Sequence, residues 1–183
     1  MKKLHLLAAV AGLALALGAT GARAAGGDAV PIGQYGAWSA AYFMEGGHKV
    51  CYMASSPKST RSSQAMKNRS PSFLFITHWP QDREKTAVTV SAGFPYRRGS
   101  KVSVTVDGND FTMETGANAR KSADADMAWM ATGRDDARLT AALRRGSTAT
   151  VRGTSGRGTV ITDTYSLHGS ADAYAAISKA CDF

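Results

Sequence analysis

Val102-Ser103-Val104-Thr105-Val106-Asp107-Gly108-Asn109-Asp110-Phe111-Thr112-Met113-Glu114 is the stretch that decides the fold. Valine recurs at every second position from Val102 to Val106, so the three side chains share one face while Ser103 and Thr105 point to the other. That is the period of a strand with one face in a core. Asp107-Gly108 is a dipeptide that supplies the positive φ a tight hairpin turn needs, and Phe111 to Glu114 follows as the partner strand.

Working outward, the same grammar repeats. Thr148 to Gly153 and Val160 to Leu167 form a second hairpin joined by Ser155-Gly156-Arg157-Gly158. On the N-terminal side Thr86 to Ala92 alternates, and Phe73 to Trp79 is rich in β-formers before Pro80-Gln81-Asp82 breaks it. Tyr35 to Met44 turns at Glu45-Gly46-Gly47-His48 and returns as Val50 to Ala54. Hairpins with turn residues at this spacing predict an all-β sandwich or a partly closed barrel. Met127, Trp129 and Met130 read as core or edge-strand residues, and Ser55 to Ser72, polar and without periodicity, as a long exposed loop.

Two short helices are expected beside the strands. Asp135 to Arg145 has acids in its first turn, Leu139 and Leu143 on one face, basic residues in its last turn and Gly146 as terminator. Ser170 is placed to cap the second, in which Tyr174, Ile177 and Cys181 lie on one stripe.

The 183-residue chain begins with a charged Met1-Lys2-Lys3, an apolar run from Leu6 to Leu17 and small residues at Ala22 and Ala24. This is the pattern of a secretory signal peptide, residues 1–24, with cleavage before Ala25. Residues 25–183 then form a single domain, and the formal charge falls from +8 to +5 with the loss of Lys2, Lys3 and Arg23. A moderate positive charge favours anionic envelope surfaces or acidic partners and is not a nucleic-acid footprint. No later run is long and apolar enough to span a membrane. The expected location is therefore periplasmic or secreted. The only cysteines, Cys51 and Cys181, mature where disulfides persist and most simply form one bridge, the alternatives being a redox pair or free thiols.

Several segments together resemble the invasion-associated locus B family: Val151 to Thr159, Asp163-Thr164-Tyr165-Ser166-Leu167, Gly169 and Ala176 to Cys181, with Trp38, Val50-Cys51-Tyr52, Thr77-His78 and Gly93-Phe94-Pro95-Tyr96 upstream. The resemblance covers roughly residues 32 to 181. It implies a secreted or periplasmic bacterial protein with an immunoglobulin-like β-sandwich, linked in some pathogens to entry into host cells. It offers no catalytic residues to carry over.

The residues themselves argue against familiar chemistries. Gly153 and Gly158 are spaced as in a phosphate loop, but Thr159 stands where the lysine belongs and a strand follows where a helix should. Ser155 lacks the Gly-x-Ser-x-Gly setting, since Arg157 takes the last place. His48, His78 and His168 have no metal-site spacing. Asp163 and His168 differ by an odd number, so a strand would point them apart, and Asp124 with Asp126 reads as a solvated pair. No catalytic, metal or cofactor site is expected. The one candidate contact surface is basic: Arg97, Arg98, Lys101, Arg152 and Arg157, with Arg144-Arg145, lie at turns or element ends where they could meet phosphate or carboxylate groups. The expected function is non-enzymatic surface interaction in the envelope or outside the cell, with an envelope hydrolase or small-ligand carrier as the alternative.

Overall fold

The computed structural model describes residues 28–80, 85–118 and 124–183. The predicted signal peptide and its cleavage point lie outside them, as do Gln81 and Asp82 of the predicted strand break. Eleven strands run in chain order: β1 (Val30–Tyr35), β2 (Trp38–Glu45), β3 (His48–Ser55), β4 (Ser59–Ser62), β5 (Phe73–Trp79), β6 (Lys85–Ser91), β7 (Val102–Val106), β8 (Asn109–Thr115), β9 (Met127–Trp129), β10 (Thr148–Thr154) and β11 (Val160–Ser166). Helices α1 (Gly133–Arg145) and α2 (Ser170–Ala180) complete the fold.

All pairings are antiparallel, in the order β1-β2-β3-β5-β6-β9-β8-β7-β10-β11-β4. The sheet is not closed, since β1 and β4 are its two edges. Strand β8 turns the corner. Its residues up to Met113 pair with β7, while Glu114 and Thr115 pair with Trp129 and Ala128 of β9. The ladder thereby folds into two layers, here called layer A (β1, β2, β3, β5, β6, β9) and layer B (β7, β10, β11, β4). One core cluster joins them: Met53, Leu74, Ile76, Val88 and Val90 from layer A with Val102, Val104, Val106, Val151 and Tyr165 from layer B. Trp38 is wholly buried between the layers and its indole donates to Ser166 O at 3.1 Å. The architecture is thus an all-β sandwich with two short helices, as the alternation at Val102–Val106 predicts.

Three local expectations need correction. Tyr35 to Met44 is not one strand: the chain reverses at Gly36, whose φ of +56° and 2.5 Å approach of a notional Cβ to His168 O exclude a side chain, and β1 folds back on β2. The segment Ser55 to Ser72 is not all loop. Ser59–Ser62 pairs with β11 as an edge strand, and because all four of its residues are exposed no apolar period announces it. Ser170 does not cap α2. Gly169 at φ +85° occupies the N-cap, while Ser170 Oγ donates to Leu143 O at 2.8 Å and ties α2 to α1.

The first helix begins two residues earlier than its acids suggest, capped by Thr132, whose Oγ1 accepts from Asp135 N. It is fixed to layer A where Val88 N donates to Asp136 Oδ1 at 2.8 Å, and burial raises the Asp136 pKa. The second helix packs on β1, β2 and β3 and is held there covalently. Cys51 in β3 and Cys181 at the helix C-cap form a disulfide with Cα atoms 6.0 Å apart, closing a loop of 130 residues. On the chain-entropy model so long a loop contributes on the order of 4 to 5 kcal/mol. Lys49 Nζ donates to Ala180 O at 3.0 Å, a cation at the negative end of the helix.

Candidate functional site

Along β11 and just beyond it the residues Ile161, Asp163, Tyr165 and Leu167 are buried and their neighbours are not, so an acid stands in an inward apolar row. A carboxylate there is tolerable only if charge and hydrogen bonds compensate it. Arg69 supplies the charge: Nη1 and Nη2 donate to Asp163 Oδ1 and Oδ2 at 2.9 and 2.5 Å, and Nε donates to Ala92 O at 2.8 Å. Thr60 Oγ1 donates to Asp163 Oδ1 at 2.6 Å. Ser72 Oγ lies 2.9 Å from Ser91 O, 3.2 Å from Asp163 Oδ2 and 3.0 Å from the Tyr165 hydroxyl. The side chains of Arg69 and Asp163 are only 14% and 5% exposed. Hydrogen bonding to Asp163 raises the Arg69 pKa further, and burial pushes the Tyr165 and Tyr96 phenols well above their usual value.

This network anchors the connection between β4 and β5 across both layers, and the Arg69 guanidinium lies 5.2 Å from the Phe94 ring centroid. Ser70 N donates to Gly93 O, and a Cβ on Gly93 would sit 2.1 Å from Ser70 O, so only glycine lets the two backbones meet. Next along, Gly156 N donates to Pro95 O and Arg97 N to Thr154 O, each at 2.8 Å, which docks the segment after β6 on the β10–β11 turn. Gly153 and Gly158, spaced as in a phosphate loop, have local duties. Gly153 leaves room for the Tyr96 ring, which a Cβ would approach to 2.6 Å, and Gly158 adopts φ +86° in the turn. Thr159 N donates to Ser155 Oγ at 3.2 Å and Gly158 N to Ser155 O at 2.8 Å, so the turn satisfies its own groups.

Between these segments lies a groove of about 520 Å³ walled by Met66, Phe94 and Pro95 and carrying Lys67 and Arg157. Among the described residues that line it there is no carboxylate. Arg69 also lines it, with its charge already balanced by Asp163. Of the five candidate basic residues, Arg157 is therefore on the groove. Arg97 and Arg98 are exposed on the loop bonded to Thr154 beside it. Arg152 is exposed on the outer face of layer B, opposite Ser103 and Thr162. Lys101 is ion-paired with Glu114 at 2.6 Å. Arg144 stacks over Tyr174 at 4.1 Å and Arg145 Nε donates to Ala141 O. Sequence reasoning missed Lys67 and the Arg69–Asp163 pair, although an acid in the row Ile161, Tyr165, Leu167 signals a buried cation somewhere.

The histidines are separate. His48 and His168 are exposed, whereas His78 is wholly buried, with Nδ1 2.9 Å from Thr86 Oγ1 and Nε2 3.0 Å from Ser178 Oγ. It stacks on Phe183 and meets Tyr174 edge-on. Burial first, then the Arg144 charge, lowers its pKa to about 4. Asp163, held by Arg69, and exposed His168 do not form a catalytic pair. Among the described residues no group of three or more His, Cys, Asp or Glu is arranged to hold a metal ion, and no helix is long and apolar enough to cross a membrane.

No curated protein matches the chain. In fold it is similar to the crystal structure of invasion associated protein B from Bartonella henselae, at 16% identity and a TM-score of 0.56, over 81% of this chain and 95% of that one. The model of the invasion associated locus B (IalB) protein family matches residues 38–178, which contain strands β2 to β11, the buried Arg69–Asp163 pair and the groove, so the chain belongs to the IalB family.

Proposed function

We propose that this protein is exported and acts outside the cytosol without catalysis, by holding an anionic partner at the groove between Lys67 and Arg157 and on the adjoining Arg97-Arg98 loop. The observation that carries the reading is the charge of the groove: among the described residues its two exposed cations have no carboxylate beside them, and the one buried acid nearby is consumed by Arg69. Guanidinium and ammonium groups so placed suit phosphate or carboxylate oxygens, and attraction between exposed charges weakens with salt. The signal-peptide pattern of residues 1–24, the Cys51–Cys181 disulfide and the family's association with invasion support an extracytoplasmic setting.

Vesicle co-sedimentation tests it. The chain should bind vesicles rich in phosphatidylglycerol at low ionic strength and release them as salt rises, and should ignore phosphatidylcholine vesicles. Arg97→Glu, Arg98→Glu and Arg157→Glu together should weaken the binding by about tenfold or more. Unaltered binding by the triple variant would remove the groove and its rim from the function.

A further inference from the structure

The layer A residues that point away from the core are not the polar set that water-facing strands carry. In register, Ala41 lies opposite Tyr52, Tyr52 opposite Thr77, Phe75 opposite Thr89 and Thr89 opposite Trp129, so these share the outer face. Phe43, Phe73 and Trp79 have the same strand parity. The rings Phe43, Tyr52, Phe75 and Phe73 form an unbroken diagonal across β2, β3 and β5, with successive centroids 6.0, 6.2 and 5.7 Å apart. All of them are half-buried, and none belongs to the core cluster or to the side chains packed against it. Val50, opposite Phe43, is wholly buried and also outside that cluster. Both helices pack on the other side of layer A, where Leu139, Leu143 and Ile177 join the same core cluster as Cys51, Leu74 and Ile76. Among the described residues no element covers the aromatic face.

Its chemistry narrows the occupant. The middle of the face carries Tyr52, Ala54, Phe75, Thr77, Ala87 and Thr89 and no charge, and Glu114 at its margin is already paired with Lys101 at 2.6 Å. An anionic partner has its counter-charges at the groove, and among the described residues none in the middle of this face, and nucleic acid would need cations along its backbone. A second copy is too large a demand: β2, β3, β5 and β6, of seven or eight residues each, about 4.8 Å apart and about 24 Å long, present roughly 450 Å², short of the 800 Å² or so per partner of a standard interface. What fits is a narrow, uncharged, polyhydroxylated chain, whose C–H faces lie on aromatic rings while its hydroxyls bond at their edges. The Tyr52 and Thr89 hydroxyls, which have no protein partner among the described residues, are placed for that. We propose that the outer face of layer A, along Phe43, Tyr52, Phe75 and Phe73, is a binding platform for a neutral glycan chain, distinct from the anionic contact at the groove.

Tryptophan emission reads this face directly, because Trp79 and Trp129 lie on it and Trp38 is buried in the core. Cellohexaose and chitohexaose serve as soluble neutral probes, with cellulose and chitin as solid ones. At least one should perturb the emission saturably, and Tyr52→Ala and Phe75→Ala should each weaken it by about tenfold, with the far-ultraviolet spectrum and phosphatidylglycerol-vesicle binding unchanged. The Arg97, Arg98 and Arg157 variant should bind the glycan normally, which separates this proposal from the preceding one. Failure of all four probes with folded protein overturns it. So does sedimentation showing a dimer that Tyr52→Ala or Phe75→Ala dissociates, which would assign the face to a second copy.

Discussion

The two outer faces of this sandwich obey the same alternation and carry opposite chemistry. On layer B the outward row runs Ser103, Thr105, Thr150, Arg152, Thr162 and Thr164, cross-strand neighbours that are polar and content in water. On layer A the corresponding positions hold Phe43, Tyr52, Phe75 and Trp129. A period of two fixes which residues share a face but not what that face meets. Layer B behaves as a wall with one deep polar anchor, and layer A as a wall with helices on its inside and rings on its outside.

The anchor is where the contrast can be broken most severely. Asp163 points inward between Thr162 and Thr164, which point out, and it neutralises a largely buried Arg69. Asp163→Ala should cost about 3 to 5 kcal/mol, because the guanidinium is left buried without its counter-charge. Thr162→Val and Thr164→Val, one residue away on the same strand, should stay within about 0.5 kcal/mol. Urea unfolding of the three variants gives the comparison. If Asp163→Ala also opens the groove, anionic-vesicle binding should fall with stability, since Arg69 holds the segment that presents Lys67.

On layer A the corresponding inward polar residue is His78, and it titrates. Its pKa is lowered from the usual 6.5 to about 4 by burial and the Arg144 charge, so between these values the unfolded chain binds the proton more readily than the folded one. Stability is therefore constant above pH 6.5, falls as the pH drops toward 4 and levels off below it. The total is about 3 kcal/mol, at about 1.4 kcal/mol per pH unit. Thermal unfolding from pH 7 to pH 4 should show this slope, and His78→Gln should flatten it. An equal slope in the variant would place the acid sensitivity elsewhere. Because the disulfide holds α2 beside His78, the loss should appear in the folding transition rather than as release of the helix.

How far this was legible in the sequence depends on the kind of information. The hairpin at Asp107-Gly108 and the helix from Asp135 are local, set by period and turn chemistry, and can be read from a dozen residues. Strand β4 cannot, because an edge strand with every residue exposed has no apolar pattern to offer. Asp163 was visible as an acid in an inward row, but its partner is 94 residues away and only the fold brings Arg69 to it. The run Phe73-Leu74-Phe75-Ile76-Thr77-His78-Trp79 is apolar on both faces, the pattern of a strand buried on both sides. One side is buried in the core, and on the other Thr77 is buried while Phe73, Phe75 and Trp79 stay half-buried, so the strand was readable and its exposure was not.

That last mismatch yields the mildest and sharpest test. Ile76 and Phe75 are neighbours on β5, with Ile76 wholly buried in the core and Phe75 half-buried on the outer face. Ile76→Ala should cost about 2 to 5 kcal/mol through lost burial and the cavity it leaves. Phe75→Thr removes only its edge contacts with Tyr52 and Phe73 and should cost about 1 kcal/mol or less, although it deletes the larger side chain. Threonine is moreover the residue type layer B uses on its own outer face. Chemical denaturation of the two variants at several protein concentrations decides the matter. A Phe75 cost that matches Ile76 and grows with concentration would mean that the ring is buried against another chain, whereas a small, concentration-independent cost means that the fold does not need it and leaves it free for the proposed glycan.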